Sequence, residues 1–308
     1  MYIASLIAKM QRHIVYIINP VSGTRTKKDL QSFISQKTKE KNIPFDIFPS
    51  VASGDYAFLN SIIKENKTTD VVIAGGDGTV SQVVSSLMDH DLNFGIIPCG
   101  SGNGLAYAAK ILKQPAKALD IIFKGNASLI DGFYINDHFS CMLCGLGFDA
   151  KVAHDFAQQP KRGLVTYIKM VFKNYFSAGA HPFEIQLADQ TFRTDAYFIS
   201  IANSNQFGNN FTIAPKASLS DGLLDIVIVT DQNKLSLLLQ TLKQLRAGNP
   251  LQPGSIVAGK KGVIYFQTNK LSILNPSSAP LHIDGDPAET AEKFKIEIKK
   301  KCFRLLQP

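Results

Sequence analysis

The chain has 308 residues, a length typical of one large domain or of two ordinary ones. Its composition is that of a globular protein, with 45% hydrophobic and 19% charged residues and a mean hydropathy of +0.02. No run reaches about 18 uncharged apolar residues, so no spanning helix is predicted and any membrane contact is expected to be peripheral. The net charge of +8 fits an anionic partner such as a nucleotide, an anionic membrane surface or nucleic acid.

The first 125 residues alternate short apolar runs with helical segments. Strands are predicted over 13–20, 44–48, 70–75 and 94–100, and helices over 26–41, 55–65, 80–88 and 103–112. This alternation is typical of a parallel sheet covered by helices on both faces, in which ligands bind at the carboxyl ends of the strands. We therefore predict an α/β domain over residues 1–125 with its ligand site at that edge.

From about residue 126 the pattern changes to closely spaced strands. A hairpin is predicted to turn at Asn136 and Asp137, followed by helices over 150–159 and 163–178. Further strands are predicted over 182–188, 191–202, 223–230, 262–267, 270–275, 280–284 and 293–299, with one helix over 234–247. This order predicts a β-rich, sandwich-like second domain over residues 126–299, with a tail of about 300–308 returning to the first domain.

The four cysteines are too few and too scattered for a disulfide scaffold. Cys141 and Cys144 have the CxxC spacing, but no second pair completes a zinc site and the surrounding run HFSCMLCGLGF is apolar. We therefore predict buried thiols at these positions and a reducing, cytoplasmic location. No cleavage site of a signal peptide is evident, and translation from Met1 or from Met10 is left open.

Glycine-rich turns follow three predicted strands of the first domain. NPVSG spans 19–23, GGDGT spans 75–79 and GSGNGLA spans 100–106. Glycines after a strand let the backbone approach a polyphosphate, and the N-terminus of the following helix attracts negative charge. The GGDGT turn matches neither GxGxxG nor GxxxxGK[ST], which disfavours a Rossmann dinucleotide site and a P-loop.

Asp77 places a carboxylate where a phosphate is expected. Negative charge there is useful only with Mg²⁺ or with a hydroxyl proton to accept, so Asp77 favours phosphoryl transfer. Ser101 is predicted to donate to phosphate, and Asn103 to cap the following helix. Because the carboxyl ends of parallel strands share one edge, we expect the three turns to lie together.

Six short motifs in chain order resemble the lipid kinase family that contains sphingosine kinases and bacterial diacylglycerol kinases. They are NPVSG, GGDGT, GSGNGLA, ID at 130–131, PKASLSDGLLD at 215–225 and DGD at 284–286. The resemblance spans nearly the whole chain. It implies a nucleotide-binding α/β domain like that of NAD kinases and phosphofructokinases, a β-rich lipid-binding domain, an active site in the cleft between them, and ATP and Mg²⁺ as cofactors.

The resemblance also implies roles for individual residues. Asp77 and Asp286 would orient and deprotonate a lipid hydroxyl, and Asp131 would be a further acid of the cleft. A structural metal, as in Gram-positive diacylglycerol kinases, would be bound by Ser218, Asp221 and Leu223. The residues expected to bind the nucleotide are Asn19, Pro20, Ser22, Gly23, Ser50, Gly75, Gly76, Asp77, Gly78, Thr79, Ser101 and Asp284.

Departures from the family pattern leave the acceptor open. Asp286 stands where the family usually has Glu, which shortens the carboxylate arm by one methylene, and Ser81 and Gln82 replace a frequent Asn-Glu pair. GSGNGLA is closer to the GSGNALA of sphingosine kinases than to the GTxND of many bacterial diacylglycerol kinases. The chain length and SLSDGLLD are more typical of the bacterial enzymes. The acceptor is therefore expected to be diacylglycerol or a sphingoid base, with ceramide or another lipid as alternatives.

Two other functions stay open on sequence alone. A soluble-substrate kinase of the NAD kinase type shares GGDG, and a non-catalytic nucleotide- or lipid-binding protein would result if the changes at 81–82 and 286 abolished turnover. The expected location is cytoplasmic and peripheral, at the inner face of an anionic membrane, where Lys161 or Arg162 would meet headgroups. No nucleic-acid partner is expected, and a homodimer is left open.

Overall fold

The computed structural model describes residues 12–22, 27–160, 164–175, 178–208, 211–212, 214, 216–230 and 262–308. The predicted helix over 234–247, both candidate start residues, Gly23, and Lys161 and Arg162 lie outside the described residues.

In the first part of the chain, strands and helices alternate as the sequence predicts. The strands are β1 (Ile14–Ile18), β2 (Phe45–Pro49), β3 (Asp70–Gly75) and β4 (Asn93–Pro98). The helices are α1 (Lys27–Glu40), a 3-10 turn (Ala57–Leu59) leading into α2 (Asn60–Glu65), α3 (Asp77–Leu87), α4 (Gly104–Ala108) and α5 (Pro115–Lys124). The strands pair in parallel in the order β4-β3-β1-β2. The runs of β1 and β3 are buried along their whole length, as expected for a parallel sheet covered on both faces.

The second part is dominated by antiparallel strands. They are β5 (Ala127–Ile135), β6 (His138–Ser140), β7 (Leu143–Gly147), β8 (His181–Gln186), β9 (Thr191–Ala202), β10 (Gln206–Gly208), β11 (Phe211–Thr212), β12 (Leu224–Thr230), β13 (Val263–Thr268), β14 (Lys270–Leu274), β15 (Leu281–Ile283), β16 (Asp286–Ala288) and β17 (Lys293–Leu306). Helices α6 (Phe148–Ala157) and α7 (Leu164–Tyr175) follow β7. The predicted hairpin turn is confirmed, because Ile135 pairs with His138 across it.

Strand β17 joins the two parts of the chain. Its first half pairs antiparallel with β14 and β5, and near its end Arg304 pairs in parallel with Asn93 of β4. The antiparallel pairing with β5 is irregular between Lys299 and Phe303. Before the irregularity the other neighbour of β17 is β14, and after it the other neighbour is β4. The sheet therefore continues from the parallel strands into the antiparallel ones through β17.

Apolar side chains form two buried clusters, one mainly in the first part and one in the second. Cys141 and Cys144 are fully buried free thiols, so the prediction made from their apolar surroundings is confirmed. Burial raises the pKa of both thiols well above the ordinary range, and the charge of Asp284 adds to the rise. Among the helices of the described ranges, none is long and apolar enough to cross a membrane.

Several helices differ from the sequence prediction, since α2 begins five residues later than predicted and α4 ends four residues earlier. Helix α3 begins at Asp77, three residues before the predicted start, so Asp77 lies in the first helical turn and not in a loop. Helix α5 was missed, although Pro115 at its first position and Gly125 with φ of 75° at its end are typical boundary residues. The apolar residues of α5 recur at helical spacing, so this helix could have been predicted from the sequence.

Candidate active site

The three glycine-rich turns lie together at the carboxyl ends of β1, β3 and β4. Asn19 Nδ2 donates a hydrogen bond to Thr79 Oγ1 at 2.8 Å, which joins the first turn to the second. The second and third turns touch through their backbones, since a Cβ atom on Gly100 would lie 2.6 Å from Gly76 Cα. A side chain at position 100 would force the two turns apart.

Helix α3 begins at this junction without a side-chain cap. Gly76 is its N-cap residue, in an extended conformation, and makes no side-chain cap hydrogen bond. The first N–H groups of a helix have no partner within the helix, and they carry the positive end of its dipole. The junction therefore presents backbone donors and positive potential, which suit an anion such as phosphate.

Asp77 is 9% exposed and caps the neighbouring helix α4. Its carboxylate accepts the N–H groups of Gly104 at 3.0 Å and of Leu105 at 3.1 Å. Asn103, which the sequence predicted as the cap, does occupy the N-cap position of α4, but its side chain makes no cap hydrogen bond. Asn103 has a left-handed backbone with φ of 56°, and its side chain accepts from the N–H and donates to the carbonyl of Gly100, both at 2.8 Å.

Asp286 reaches the same place from the second part of the chain. It is the first residue of β16, and its carboxylate lies so close to Gly78 that a Cβ atom there would overlap Oδ2 and lie 3.2 Å from Cγ. Burial raises the pKa of Asp77 to about 6, against the opposing effect of its N–H partners, and the charge of Asp286 adds to the rise. The two predicted acids are thus brought together, one from each part of the chain.

Asp284 holds the turn between β15 and β16 against the first part of the chain. Its buried carboxylate accepts hydrogen bonds from Ser140 Oγ at 2.7 Å, from the Leu143 N–H at 3.1 Å and from Ser81 Oγ. Ser81 belongs to α3, four residues after Asp77. All three of these donors are protein groups and anchor the turn, and the nucleotide-binding role assigned to Asp284 from the sequence stays a prediction.

The same contact gives a role to Ser81, which the sequence treated only as the loss of a more polar residue. Burial raises the pKa of Asp284 to about 7; the bonds from Ser81 and Ser140 oppose the rise, and the charge of Asp77 adds to it. Ser81 Oγ also lies 3.0 Å from Cys141 Sγ. No local signal could have revealed this contact, because Ser81 and Asp284 are 203 residues apart in sequence.

Asp131, predicted as a further acid of the cleft, is surrounded by backbone groups of the second part of the chain. Asp131 is fully buried, and its carboxylate accepts the N–H groups of Gly222 at 2.7 Å and Lys301 at 2.6 Å. Its own N–H donates to the Leu219 carbonyl at 2.7 Å. These bonds tie Asp131 to the 218–223 loop, and its role as an acid of the cleft stays a prediction.

The predicted metal ligands Ser218, Asp221 and Leu223 lie on that loop. Asp221 Oδ1 accepts the Leu223 N–H at 3.0 Å, and a Cβ atom on Gly222 would lie 3.1 Å from Lys300 Nζ. Within the described ranges, no group of three or more His, Cys, Asp or Glu side chains could hold a metal ion. A loop with one carboxylate and a neighbouring ammonium fits a divalent cation poorly, so this metal stays a prediction and no step depends on it.

The remaining predicted nucleotide residues lie near the carboxyl end of β1. Ser22 Oγ donates to the Asn19 carbonyl at 3.2 Å, and the Ser50 N–H donates to the Ile18 carbonyl at 3.0 Å. Pro20 is exposed and Ser101 is half-buried, on the first and third turns respectively. Gly23 lies outside the described residues.

The α/β fold followed by a β-rich part is that of a family of kinases, as two family models indicate. The model of the diacylglycerol kinase catalytic domain matches residues 13–135. The model of the YegS C-terminal NAD kinase beta sandwich-like domain matches residues 143–296. The chain belongs to the lipid kinase family that carries these two domains, which confirms the predicted family and fold class. Membership of a kinase family implies the use of ATP.

Relatives of known name cover most of the chain. A "Probable lipid kinase YegS-like" of Shewanella frigidimarina is 27% identical over 305 residues, covering 96% of this chain and 94% of the relative. A "Diacylglycerol kinase" of Bacillus subtilis is 24% identical over 277 residues, covering 88% of each. A crystal structure of a diacylglycerol kinase from Bacillus anthracis is similar in fold, with a TM-score of 0.71, 17% identity, and coverage of 97% of this chain and 98% of that one.

Proposed function

We propose that this protein is an ATP-dependent kinase that phosphorylates the hydroxyl of diacylglycerol or of a sphingoid base. The observation that carries the proposal is the pairing of Asp77 and Asp286 at the uncapped N-terminus of α3. Two carboxylates beside a position suited to phosphate have a use in phosphoryl transfer, where one group accepts the hydroxyl proton and charge is neutralised by a metal.

Residues of the glycine-rich turns fit a triphosphate. The close backbone contact between Gly76 and Gly100 holds the second and third turns together, and the first turn of α3 offers N–H donors. Mg²⁺ is usually bound through one or two carboxylates together with substrate phosphates, so one or two acids beside the phosphates suffice for it. Asp286 is the exposed carboxylate placed to contribute. When bound, Mg²⁺ with ATP supplies the phosphoryl group and neutralises its charge.

Asp77 is the residue that we assign as the base. A general base works best when its pKa lies near the working pH, and burial raises the pKa of Asp77 to about 6. The two N–H bonds from α4 fix the direction of its carboxylate, so the acceptor hydroxyl meets a base in one orientation. The Asp286 arm, one methylene shorter than Glu, reaches this position because its turn is anchored to α3.

A membrane lipid acceptor requires contact with a lipid surface. Helix α7 presents Phe172, 42% exposed, with Lys169 and Lys173 exposed on either side of it in sequence. An exposed aromatic ring beside basic residues suits peripheral binding to an anionic membrane. The name of the Bacillus subtilis relative favours diacylglycerol as the first acceptor to test.

The test is transfer of radiolabelled phosphate from ATP to lipids in vesicles. The panel contains dioleoylglycerol, sphinganine, ceramide and monoacylglycerol, with NAD in a parallel reaction without lipid. We expect label in dioleoylglycerol or sphinganine, and loss of nearly all transfer in a folded Asp77→Asn variant, because the base is removed. Label in NAD alone would replace the proposal with a soluble-substrate kinase, and no label in any acceptor would refute it.

A further inference from the structure

His282 connects helix α6 to the turn that carries both Asp284 and Asp286. It lies in β15 and is 2% exposed. Its Nδ1 accepts the N–H of Gly285, between the two acids, at 3.3 Å. Its Nε2 lies 3.3 Å from Asp149 Oδ2. The ring therefore bridges a buried carboxylate and the backbone of the turn.

Asp149 is itself fixed in place. It lies in the first turn of α6, is 7% exposed, and accepts the N–H of Ala150 through Oδ1 at 2.8 Å. Gly145 of β7 pairs with His282 in the sheet, and a Cβ atom on it would overlap the Asp149 carboxylate and lie 2.6 Å from His282 Nε2. The dyad thus occupies space that only a glycine at position 145 leaves open.

The hydrogen bonds determine where the ring proton lies. Because Nδ1 accepts an N–H, it carries no proton, so the proton is on Nε2 and points to Asp149. A carboxylate at position 149 stabilises this tautomer, and the tautomer leaves an acceptor for Gly285. The order of the contacts is therefore Asp149, then His282, then the backbone of the turn.

This backbone is the part of the turn that sets the separation of the two acids. Asp284 and Gly285 both have left-handed conformations, with φ of 52° and 84°, which send Asp284 toward Ser81 and Asp286 toward Gly78. This conformation costs nothing at Gly285 but is unfavourable at Asp284, which carries a Cβ, so the turn needs a partner that holds it. The bond from the Gly285 N–H to His282 supplies that partner.

We propose that His282 and Asp149 are positioning residues, which fix the 284–286 turn and thereby the place of Asp286 opposite Asp77. The proposal rests on the proposed kinase function. Neither residue touches the reacting atoms in this assignment, so their loss should lower turnover more than nucleotide binding. A misplacement of about 1 Å in a reacting group costs up to about 100-fold in rate.

Two substitutions of His282 separate its two contacts. The Oδ1 atom of asparagine takes the place of Nδ1, so His282→Asn keeps an acceptor for Gly285. The Nε2 atom of glutamine takes the place of the ring Nε2, so His282→Gln keeps the contact with Asp149 but loses the acceptor. We expect kcat to fall by about 30- to 100-fold in His282→Gln, with KM for ATP unchanged, and by less than about fivefold in His282→Asn.

Asp149→Asn provides a second, independent variant. Its amide can donate to His282 Nε2, which moves the ring proton to Nδ1 and opposes the Gly285 N–H. We expect the same fall in kcat as in His282→Gln. The matched control is His154→Asn, which removes the hydrogen bond from His154 Nε2 to the Leu281 carbonyl at 2.8 Å, in the same strand but away from the turn. Its kcat should equal that of the wild type.

Amide hydrogen exchange over residues 281–288 tests the positioning without any turnover. We expect the Gly285 amide to exchange faster in His282→Gln and Asp149→Asn, and at the wild-type rate in His282→Asn and His154→Asn. Absence of lipid phosphorylation by the wild type would refute the proposed function, while this exchange pattern would still support the role of the dyad. Equal kcat in His282→Gln and His282→Asn, an equal fall in His154→Asn, or unchanged exchange would overturn the inference.

Discussion

Replacing Gly78 by alanine separates the stability of the fold from the geometry of the acid pair. Gly78 has helical backbone in α3, where alanine is favoured over glycine by about 0.5–1 kcal/mol. The added Cβ would overlap the Asp286 carboxylate, which must withdraw by more than about 1 Å to reach ordinary contact distance. Asp286 is exposed, so its side chain has room to rotate away. We therefore expect the substitution to lower the rate of the reaction.

We expect Gly78→Ala to keep the melting temperature of the wild type and to lower kcat by about 100-fold, equivalent to about 2.7 kcal/mol of transition-state stabilisation. Thermal unfolding and the radiolabel assay measure the two quantities on one preparation. The matched control is Gly179→Ala, because nothing lies within 4 Å of the added Cβ there and its backbone is not left-handed. Wild-type kcat in a folded Gly78→Ala protein would refute the placement of Asp286 beside Asp77.

Three further predictions concern the buried acids. The pKa values of Asp77 and Asp284, about 6 and about 7, lie above the ordinary 3.8. Both carboxylates should therefore become protonated as the pH falls through 7 to 6, and kcat/KM should be lost over that range. A pH profile that is flat down to pH 5 would contradict this. Ser81→Ala removes a bond that lowers the pKa of Asp284, so the acid limb should move to higher pH and turnover should fall; an unmoved limb would show that the contact is not needed. Asp131→Asn leaves one backbone N–H without its acceptor, so the free energy of unfolding should fall by about 2 kcal/mol. Turnover of the folded protein should be kept. Loss of turnover at unchanged stability would instead support a catalytic role for Asp131.

Local sequence signals were sufficient for most of the fold. The strand predicted over 70–75 is observed with the same bounds, and so is the long strand over 191–202, because apolar runs bounded by polar or glycine residues define such strands. The α3 start was placed late because glycine and aspartate have low helix propensity, although here the first helical turn is held by the surrounding turns. Local helix propensity does not predict a helix boundary that tertiary contacts determine.

The sequence by itself determined where Asp77 lies: a glycine-rich turn after a buried parallel strand puts a carboxylate at the edge of the sheet where ligands bind. Only the tertiary structure decided what surrounds it. Asp286 meets Gly78, Ser81 meets Asp284, and His282 meets Asp149 across separations of 133 residues or more, through sheet pairing that no local pattern encodes. The raised pKa of Asp77 is likewise a tertiary property, since desolvation depends on which atoms of distant segments exclude water from the carboxylate.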